Sequence, residues 1–212
     1  NETLLVGPHL VAAALAGGVR LARGFVARDD DAGRRLIEGS GCEVRVVDPR
    51  TLARLGTTDT PQSPIAVVPI PDNPPRPGGR VIVAWGVSDP GNCGTLIRIA
   101  AAFGYGYLSG PESADVWAPK VLRSAAGAHF SIAIGVAETL DQVRNGGRSV
   151  VASVARGGST PGPLPAAVAV LVGSEAHGLP ESVVEASDER VTIPTTGGVE
   201  SLNAAMAGAI LA

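Results

Sequence analysis

Continuous apolar segments that alternate with helix-like segments dominate residues 80–212 of this 212-residue chain. Six of them have the composition of strands: Arg80–Gly86, Tyr105–Gly110, Phe130–Val136, Ser149–Ala155, Ala167–Gly173 and Arg190–Pro194. Helices are predicted over Cys93–Phe103, Val116–Ala126, Thr139–Asn145, Pro180–Ala186 and Leu202–Ala212. Strands that are apolar throughout are buried on both faces, so the pattern predicts an α/β fold with a parallel sheet between two helical layers. Ligands of such sheets bind beyond the carboxyl ends of the strands.

A proline-rich segment, PIPDNPPRPGG (Pro69–Gly79), precedes this region and contains five prolines and two glycines. Proline removes backbone donors and favours extended conformations, so we expect a linker over residues 69–79 between a domain of residues 1–68 and a domain of residues 80–212. The first domain also alternates, which predicts a small α/β/α layer structure. Its helices are expected over Pro8–Gly18 and Asp29–Gly41, and its strands over Gly24–Arg28, Glu43–Asp48 and Ile65–Pro69.

Composition limits the classes of partner. The net charge of −3 excludes a basic field over the whole protein, so any nucleic-acid surface must be local. Residues 1–68 contain eight acidic residues and eight arginines, namely Arg20, Arg23, Arg28, Arg34, Arg35, Arg45, Arg50 and Arg54. Two interpretations stay open: solvated arginines balanced by nearby acids, or a local patch that contacts RNA.

The cysteine and hydropathy patterns argue against disulfides, a metal site and a membrane span. Cys42 and Cys93 lie far apart in unlike contexts, which predicts neither a disulfide framework nor a metal site. The sequence has no apolar run of roughly 18 residues and no signal-peptide pattern, so no membrane span and a cytoplasmic location are expected. Because the chain starts without Met and stops within a predicted helix, we expect that it has been trimmed.

The first of three polar motifs is SDPGNCGTLIRIAAAFG (Ser88–Gly104), which follows the strand that ends at Gly86. Its glycines permit a tight turn close to a ligand. Asn92 and Arg98 are candidate site residues, although they are six residues apart and do not share one helical face. The apolar neighbours of Arg98 predict a buried charge, which needs a partner. That partner is either a carboxylate in a structural salt bridge or the phosphate or carboxylate of a ligand.

The other two motifs follow two further strands. In LVGSEAHGLP (Leu171–Pro180), a buried strand ends at Gly173 and Glu175 follows in a loop whose tight spacing favours a pocket lined by backbone. We leave His177 out of the site. In IPTTGGVESLNAA (Ile193–Ala205), Ser201 is a good N-cap for the last helix. Asn203 has no such structural purpose, because Asn is a poor helix former inside an apolar run. Neither a dinucleotide-binding GxGxxG nor a P-loop motif is present.

Together and in this order, the three motifs resemble those of the SpoU (TrmH) family of RNA ribose 2′-O-methyltransferases, a branch of the SPOUT class. The resemblance covers roughly residues 80–212. The layout is also similar to bacterial rRNA guanosine methyltransferases and to the thiostrepton-resistance methyltransferase. General rules would give an open, unknotted sheet, whereas the resemblance implies a deep C-terminal trefoil knot that holds S-adenosylmethionine (AdoMet). It further implies an RNA-binding, L30e-like domain over residues 1–68 and a homodimer, and no metal.

The resemblance also implies roles for individual residues. The cofactor pocket would use Leu171, Gly173, Ile193 and Leu202, largely through backbone groups. Arg98 would be the central catalytic residue, and one subunit's Arg98 would complete the site of the other. Asn92 and Asn203 would orient the ribose and Arg98. Glu175 would pair with Arg98 or brace the pocket, and Ser201 would either contact substrate or only cap the helix.

The sequence leaves two other functions open. The first is a non-catalytic RNA-binding or ribosome-associated protein that has kept the fold. The simultaneous presence of Asn92, Arg98, Glu175 and Asn203 argues against it, because a protein that only binds RNA has no chemical need for all four. The second is an unrelated α/β enzyme that binds another nucleotide. The identity of the RNA, ribosomal or transfer, does not follow from these motifs.

Overall fold

The computed structural model describes residues 1–56, 60–196 and 201–212. Asp59 and the two glycines of the third motif, Gly197 and Gly198, lie outside the described residues.

A four-stranded sheet occupies the N-terminal part, with strand order β1-β4-β2-β3. Its strands are β1 (Glu2–Val6), β2 (Arg23–Ala27), β3 (Glu43–Val47) and β4 (Ile65–Pro69), and the helices between them are α1 (Pro8–Ala16), α2 (Asp31–Glu38) and α3 (Pro49–Leu55). Strand β4 runs antiparallel to both β1 and β2, whereas β2 and β3 are parallel. The carboxyl ends of β2 and β3 therefore lie at the same edge of the sheet.

A six-stranded sheet with order β10-β8-β9-β5-β6-β7 occupies the rest, and all of its strand pairs are parallel. The strands are β5 (Val81–Trp85), β6 (Gly106–Ser109), β7 (Ile134–Val136), β8 (Ser149–Ser153), β9 (Val168–Gly173) and β10 (Glu189–Val191). The helices are α4 (Pro90–Phe103), α5 (Pro119–Ser124), α6 (Leu140–Val143), α7 (Glu181–Glu185) and α8 (Ala204–Leu211). Every residue of the central strands β5 and β9 is buried. The predicted α/β fold with a parallel sheet is confirmed.

The two sheets contact each other through α1 and the segment around α5. Thr3 Oγ1 donates a hydrogen bond to the Trp117 carbonyl at 2.9 Å, and Leu122 of α5 belongs to the core of the first sheet. The proline-rich segment lies against the second sheet, where Asn73 pairs with Ile134. The Arg148 guanidinium also donates to the Gly79 carbonyl at 2.6 Å. The division into domains at residues 69–79 stays a prediction.

Several predicted element boundaries were wrong. Strand β1 and helix α3 were not predicted at all. The strand expected from Phe130 begins only at Ile134, because residues Ala128–Phe130 form a 3₁₀ turn. Phe130 instead packs against α1, so closely that a Cβ on Gly17 would lie 2.5 Å from the Phe130 carbonyl oxygen. The predicted helix at Cys93 begins earlier, at Pro90.

The start of the last helix was also wrong. The side-chain oxygen of Asn203 accepts hydrogen bonds from the backbone amides of Ala205 and Met206, at 3.0 and 3.2 Å. Asn203 is therefore the N-cap of α8, the structural role that we assigned to Ser201. Ser201 is exposed and lies before the helix.

Candidate functional site

A cavity of about 520 Å³ opens at the carboxyl ends of β8, β9 and β10, next to the start of α8. Its wall combines the loop after β8, the loop after β9, the chain after β10 and one side of α8. The lining residues are Ser153–Arg156, Val172–Leu179, Val184, Val191, Ile193, Thr195, Ser201, Leu202, Ala204 and Ala207. This is the edge of a parallel sheet at which ligands are expected.

A chain of two hydrogen bonds joins the three sequence motifs beside this cavity. Asn203 Nδ2 donates to Asn92 Oδ1 at 2.9 Å, and Asn92 Nδ2 donates to Glu175 Oε1. Asn92 is at the start of α4, Glu175 is in the loop after β9, and Asn203 caps α8. The three residues are distant in the sequence, so only the fold brings their side chains together. The donors and acceptors fix the orientation of both amides.

The backbone holds each member of this network in place. Asp89 caps α4, because its Oδ1 accepts a hydrogen bond from the Asn92 amide at 2.8 Å. The loop that carries Glu175 is closed by two hydrogen bonds between the backbones of Ser174 and Gly178, at 2.9 and 3.1 Å. Gly178 has a φ of +69°, a conformation that favours glycine. The network therefore rests on a capped helix and a tight turn.

Gly173 lies where the chain approaches itself closely. A Cβ at this position would be 2.3 Å from the carbonyl carbon of Gly178, so that no other residue fits without movement of the backbone. Gly173, Ile193 and Leu202 all line the cavity, where we expected the cofactor. Leu171 does not: it is fully buried in the core of the sheet, and the cavity wall begins one residue later, at Val172.

Arg98 differs most from its expectation. The apolar residues around it predicted burial, but its side chain is exposed on α4, so the expected buried charge was wrong. Cys93, Leu96, Ile97 and Ala100 form the buried side of this helix. Residues six apart on an α-helix point about 120° apart, so that Arg98 and Asn92 leave α4 in different directions. Among the described residues, Arg98 forms no hydrogen bond or ion pair, and Glu175 contacts Asn92 and not Arg98.

Among the described residues, three charged or titratable side chains line the cavity: Arg156, Glu175 and His177. The sequence analysis missed Arg156 and the rest of the loop after β8. A signal was available, because the buried parallel strand β8 is followed, after Val154, by the polar, glycine-containing stretch ARGGS. His177, which we left out, is exposed at the cavity, and its backbone amide donates to Ser174 Oγ at 3.1 Å.

Two features bear on other classes of protein. None of the described helices is long and apolar enough to cross a membrane. Within residues 1–56, 60–196 and 201–212, no group of three or more His, Cys, Asp and Glu side chains is placed to hold a metal ion.

Comparison with known proteins identifies the family. The model of the SpoU rRNA methylase family matches residues 79–212, which contain the whole cavity and its hydrogen-bond network. The chain belongs to the SpoU rRNA methylase family. It is 30% identical over 217 residues to the 23S rRNA (guanosine(2553)-2′-O)-methyltransferase RlmP of Bacillus subtilis, and the match covers 100% of this chain and 87% of RlmP.

Solved SpoU structures have the same fold along almost the whole chain. The methyltransferase AviRb from Streptomyces viridochromogenes, in complex with AdoMet, superposes with a TM-score of 0.88 at 25% identity and covers 99% of this chain and 87% of its own. An AdoMet-bound rRNA methyltransferase from Sinorhizobium meliloti gives a TM-score of 0.83 at 27% identity, and the match covers 99% of this chain and 85% of that enzyme. The resemblance drawn from the three motifs is confirmed.

Proposed function

We propose that this SpoU family member transfers a methyl group from AdoMet to a ribose 2′-hydroxyl of ribosomal or transfer RNA. The observation that carries the proposal is the hydrogen-bond network of Asn92, Glu175 and Asn203 at the cavity. The names of its relatives support RNA as the acceptor, and two structural neighbours hold AdoMet. An RNA-modifying enzyme acts where its RNA is, so we assign the protein to the cytoplasm.

The cavity fits AdoMet in size and chemistry. A volume of about 520 Å³ lies within the range of small-molecule sites, which are mostly apolar with a few polar groups. Ile193 and Leu202 offer apolar contacts to the adenosine, and Gly173, which also lines the cavity, offers backbone groups for polar contacts. Leu171 supports this wall from the core. AdoMet, when bound, supplies a methyl group on a positively charged sulfur that an oxygen nucleophile can attack.

The residues of this chain must orient the ribose and stabilise its 2′-oxygen as it loses its proton. Asn92 and Asn203 are held by their mutual hydrogen bond and position the ribose, while Glu175 fixes the amide of Asn92. A guanidinium is a poor base in proteins, so we assign Arg98 to stabilisation of the developing negative charge rather than to removal of the proton. Ser201, exposed at the cavity, contacts the acceptor nucleotide.

Exposed apolar side chains on α4 and α8 support a homodimer. Phe103, Met206 and Ile210 are 53%, 57% and 50% exposed, and the two helices that carry them pack together. Single exposed apolar residues are common, but three on adjoining helices are typical of an interaction surface. Arg98 lies on the exposed side of the same α4. We propose that a second copy seated on α4 and α8 receives Arg98 at its own cavity, since Arg98 has no contact with the network of its own subunit.

The finer features of the fold belong to the same proposal. The segment from β10 through α8 forms the trefoil knot of the SPOUT class around the cofactor. Residues 1–68 form an L30e-like substrate-binding domain, joined by residues 69–79 to the methyltransferase domain of residues 80–212. The match of SpoU structures across 99% of the chain supports these assignments.

Analysis of methylated RNA tests the proposed function. The purified protein is incubated with tritium-labelled AdoMet and unmodified ribosomal and transfer RNA, and the RNA is then hydrolysed with alkali. Methylation of a 2′-hydroxyl blocks cleavage at that nucleotide, so we expect the label in alkali-stable dinucleotides. The Asn92→Ala variant serves as the inactive control. Label in mononucleotides would mean methylation of a base, and tight RNA binding without any transfer would favour the non-catalytic alternative.

A further inference from the structure

We infer that Arg156 binds the carboxylate of the methionine part of AdoMet and so selects the intact cofactor; the inference rests on the proposed function. Arg156 lies in the loop after β8 and lines the cavity. Asn92 lies in α4, which follows β5, and β9 separates β8 from β5 in the sheet, so Arg156 is on the side of the cavity away from Asn92. Its side chain is exposed where it lines this partly apolar cavity, and among the described residues its guanidinium forms no hydrogen bond and no ion pair.

The loop that carries Arg156 is held in place by hydrogen bonds. Four hydrogen bonds fasten its backbone to the chain around β10. Val154 N donates to Val191 O at 2.9 Å, and Gly158 N donates to Thr192 Oγ1 at 2.9 Å. Ser159 then exchanges hydrogen bonds with this segment, its amide donating to Arg190 O at 2.9 Å and its carbonyl accepting from Thr192 N at 2.8 Å.

Two glycines shape the turn directly after Arg156. Gly157 has a φ of +78°, and a Cβ on Gly158 would lie 2.8 Å from the backbone of Arg190. Because the backbone is held by hydrogen bonds both before and after Arg156, the Cα and Cβ of this residue have a fixed place at the cavity wall. Little further ordering of the backbone is then needed when a ligand binds, which favours affinity.

The charges of the cavity match those of the ligand. AdoMet carries a positive sulfonium, a positive ammonium and one negative carboxylate. Among the described lining residues, Arg156 is the one that carries a permanent positive charge, and Glu175 is the one carboxylate. Glu175 already accepts a hydrogen bond from Asn92 at the catalytic side. A carboxylate that enters a partly apolar cavity needs a cationic partner, and the planar fork of a guanidinium binds it through two parallel hydrogen bonds.

The experiment compares two ligands that differ only in this carboxylate. AdoMet and decarboxylated AdoMet are titrated into the full chain and into the Arg156→Gln variant by calorimetry. We expect the substitution to weaken AdoMet binding by at least about tenfold, as for the loss of a charge-assisted hydrogen bond, and to change binding of decarboxylated AdoMet by less than about twofold. Arg190→Gln is the matched control: it removes an equal charge from a neighbouring exposed arginine that does not line the cavity, and it should leave both affinities unchanged.

Each other result is informative. An equal loss for both ligands would overturn the inference, because Arg156 would then support the cavity without reading the carboxylate. Unchanged affinity for AdoMet together with weaker binding of RNA would also overturn it and assign Arg156 to a phosphate. If the unmodified chain itself fails to bind AdoMet, the proposed function is wrong and the inference with it.

Discussion

Asn203 uses both atoms of its side-chain amide, and this explains why a polar residue stands at the start of so apolar a helix. Its oxygen caps α8 and its nitrogen donates to Asn92. The sequence predicted a role at the site but excluded a structural one, because an amide inside a helix is unfavourable. The helix begins one residue later, and at a cap the same amide is favourable.

Two substitutions separate these roles. Asn203→Ala loses both the cap and the donor, so we expect the free energy of unfolding to fall by about 1 kcal/mol and methyl transfer to be lost. Asn203→Asp keeps an oxygen for the amides of Ala205 and Met206 but cannot donate to Asn92. It should unfold in urea as the unmodified protein does, yet transfer methyl at least about tenfold more slowly. If the Asn203→Asp variant kept more than half of the normal rate, the donor would not be needed.

His129 lies in the 3₁₀ turn between the two sheets and is almost fully buried beside Trp117. Its Nε2 donates to the Val116 carbonyl at 2.7 Å, which leaves the buried Nδ1 without a partner among the described residues. Burial lowers the pKa of His129 to about 4 from the ordinary value of 6.5, and the hydrogen bond to Val116 offsets only part of this effect.

The folded protein should therefore lose stability as the pH falls through this range. Between about pH 6.5 and pH 4 the unfolded chain binds a proton at His129 that the folded chain excludes, at about 1.4 kcal/mol per pH unit within that window. Urea unfolding at several pH values measures this slope, and His129→Asn should reduce it. His9→Asn, at an exposed histidine, is the control. Equal slopes in all three proteins would mean that His129 is protonated in the folded state.

At the scale of secondary structure, long apolar strands could be predicted and short amphipathic elements could not. Strands β5 and β9 are buried throughout, so their composition alone identified them. Helix α3 has seven residues and depends on Asp48, which caps it through hydrogen bonds to Arg50 and Thr51. Prediction failed for a similar reason at Arg98. Its apolar neighbours in the sequence predicted burial, but Arg98 lies on the exposed side of α4.

The carboxyl edge of β2 and β3 brings together three exposed arginines. Arg28 directly follows β2, while Arg50 and Arg54 lie on α3, one turn apart, after β3. In the part of the chain that the structure describes, these three form no ion pair. Arg23 and Arg45 differ, since they pair with Glu2 and Glu43 at 2.8 Å each. Within residues 1–68, Arg23 and Arg45 therefore fit the interpretation of solvated arginines balanced by acids, whereas Arg28, Arg50 and Arg54 are the candidates for an RNA patch.

We expect the double substitution Arg50→Gln and Arg54→Gln to weaken RNA binding and to flatten its salt dependence. Each lost phosphate contact reduces the magnitude of the slope of log affinity against log salt by roughly 0.7 to 0.9, so two should reduce it by roughly 1.4 to 1.8. AdoMet binding should not change. Arg23→Gln with Arg45→Gln removes the same charge from arginines already paired with acids and should affect the slope less. Equal effects of the two pairs would favour a solvated surface without a specific patch.

At the scale of the whole molecule, a single subunit holds the cavity and the network of Asn92, Glu175 and Asn203 but leaves Arg98 outside it. The exposed apolar residues of α4 and α8 lie on the same helices as Arg98 and Asn203. A shared site in a dimer accounts for both facts together. The proposed dimer stays to be tested, because a single subunit does not show what covers these helices.

Mixed dimers test whether the site is shared. Arg98→Ala and Glu175→Ala subunits, each inactive alone, are produced together with different tags, and the dimer that carries both tags is purified. If Arg98 acts across the interface, one of the two sites has an intact Glu175 and receives an intact Arg98, so the mixed dimer should recover about half of the normal activity. If Arg98 acts within its own subunit, both sites stay defective and no activity returns. Sedimentation should first give about twice 21.3 kDa, and an active monomer would contradict the shared site directly.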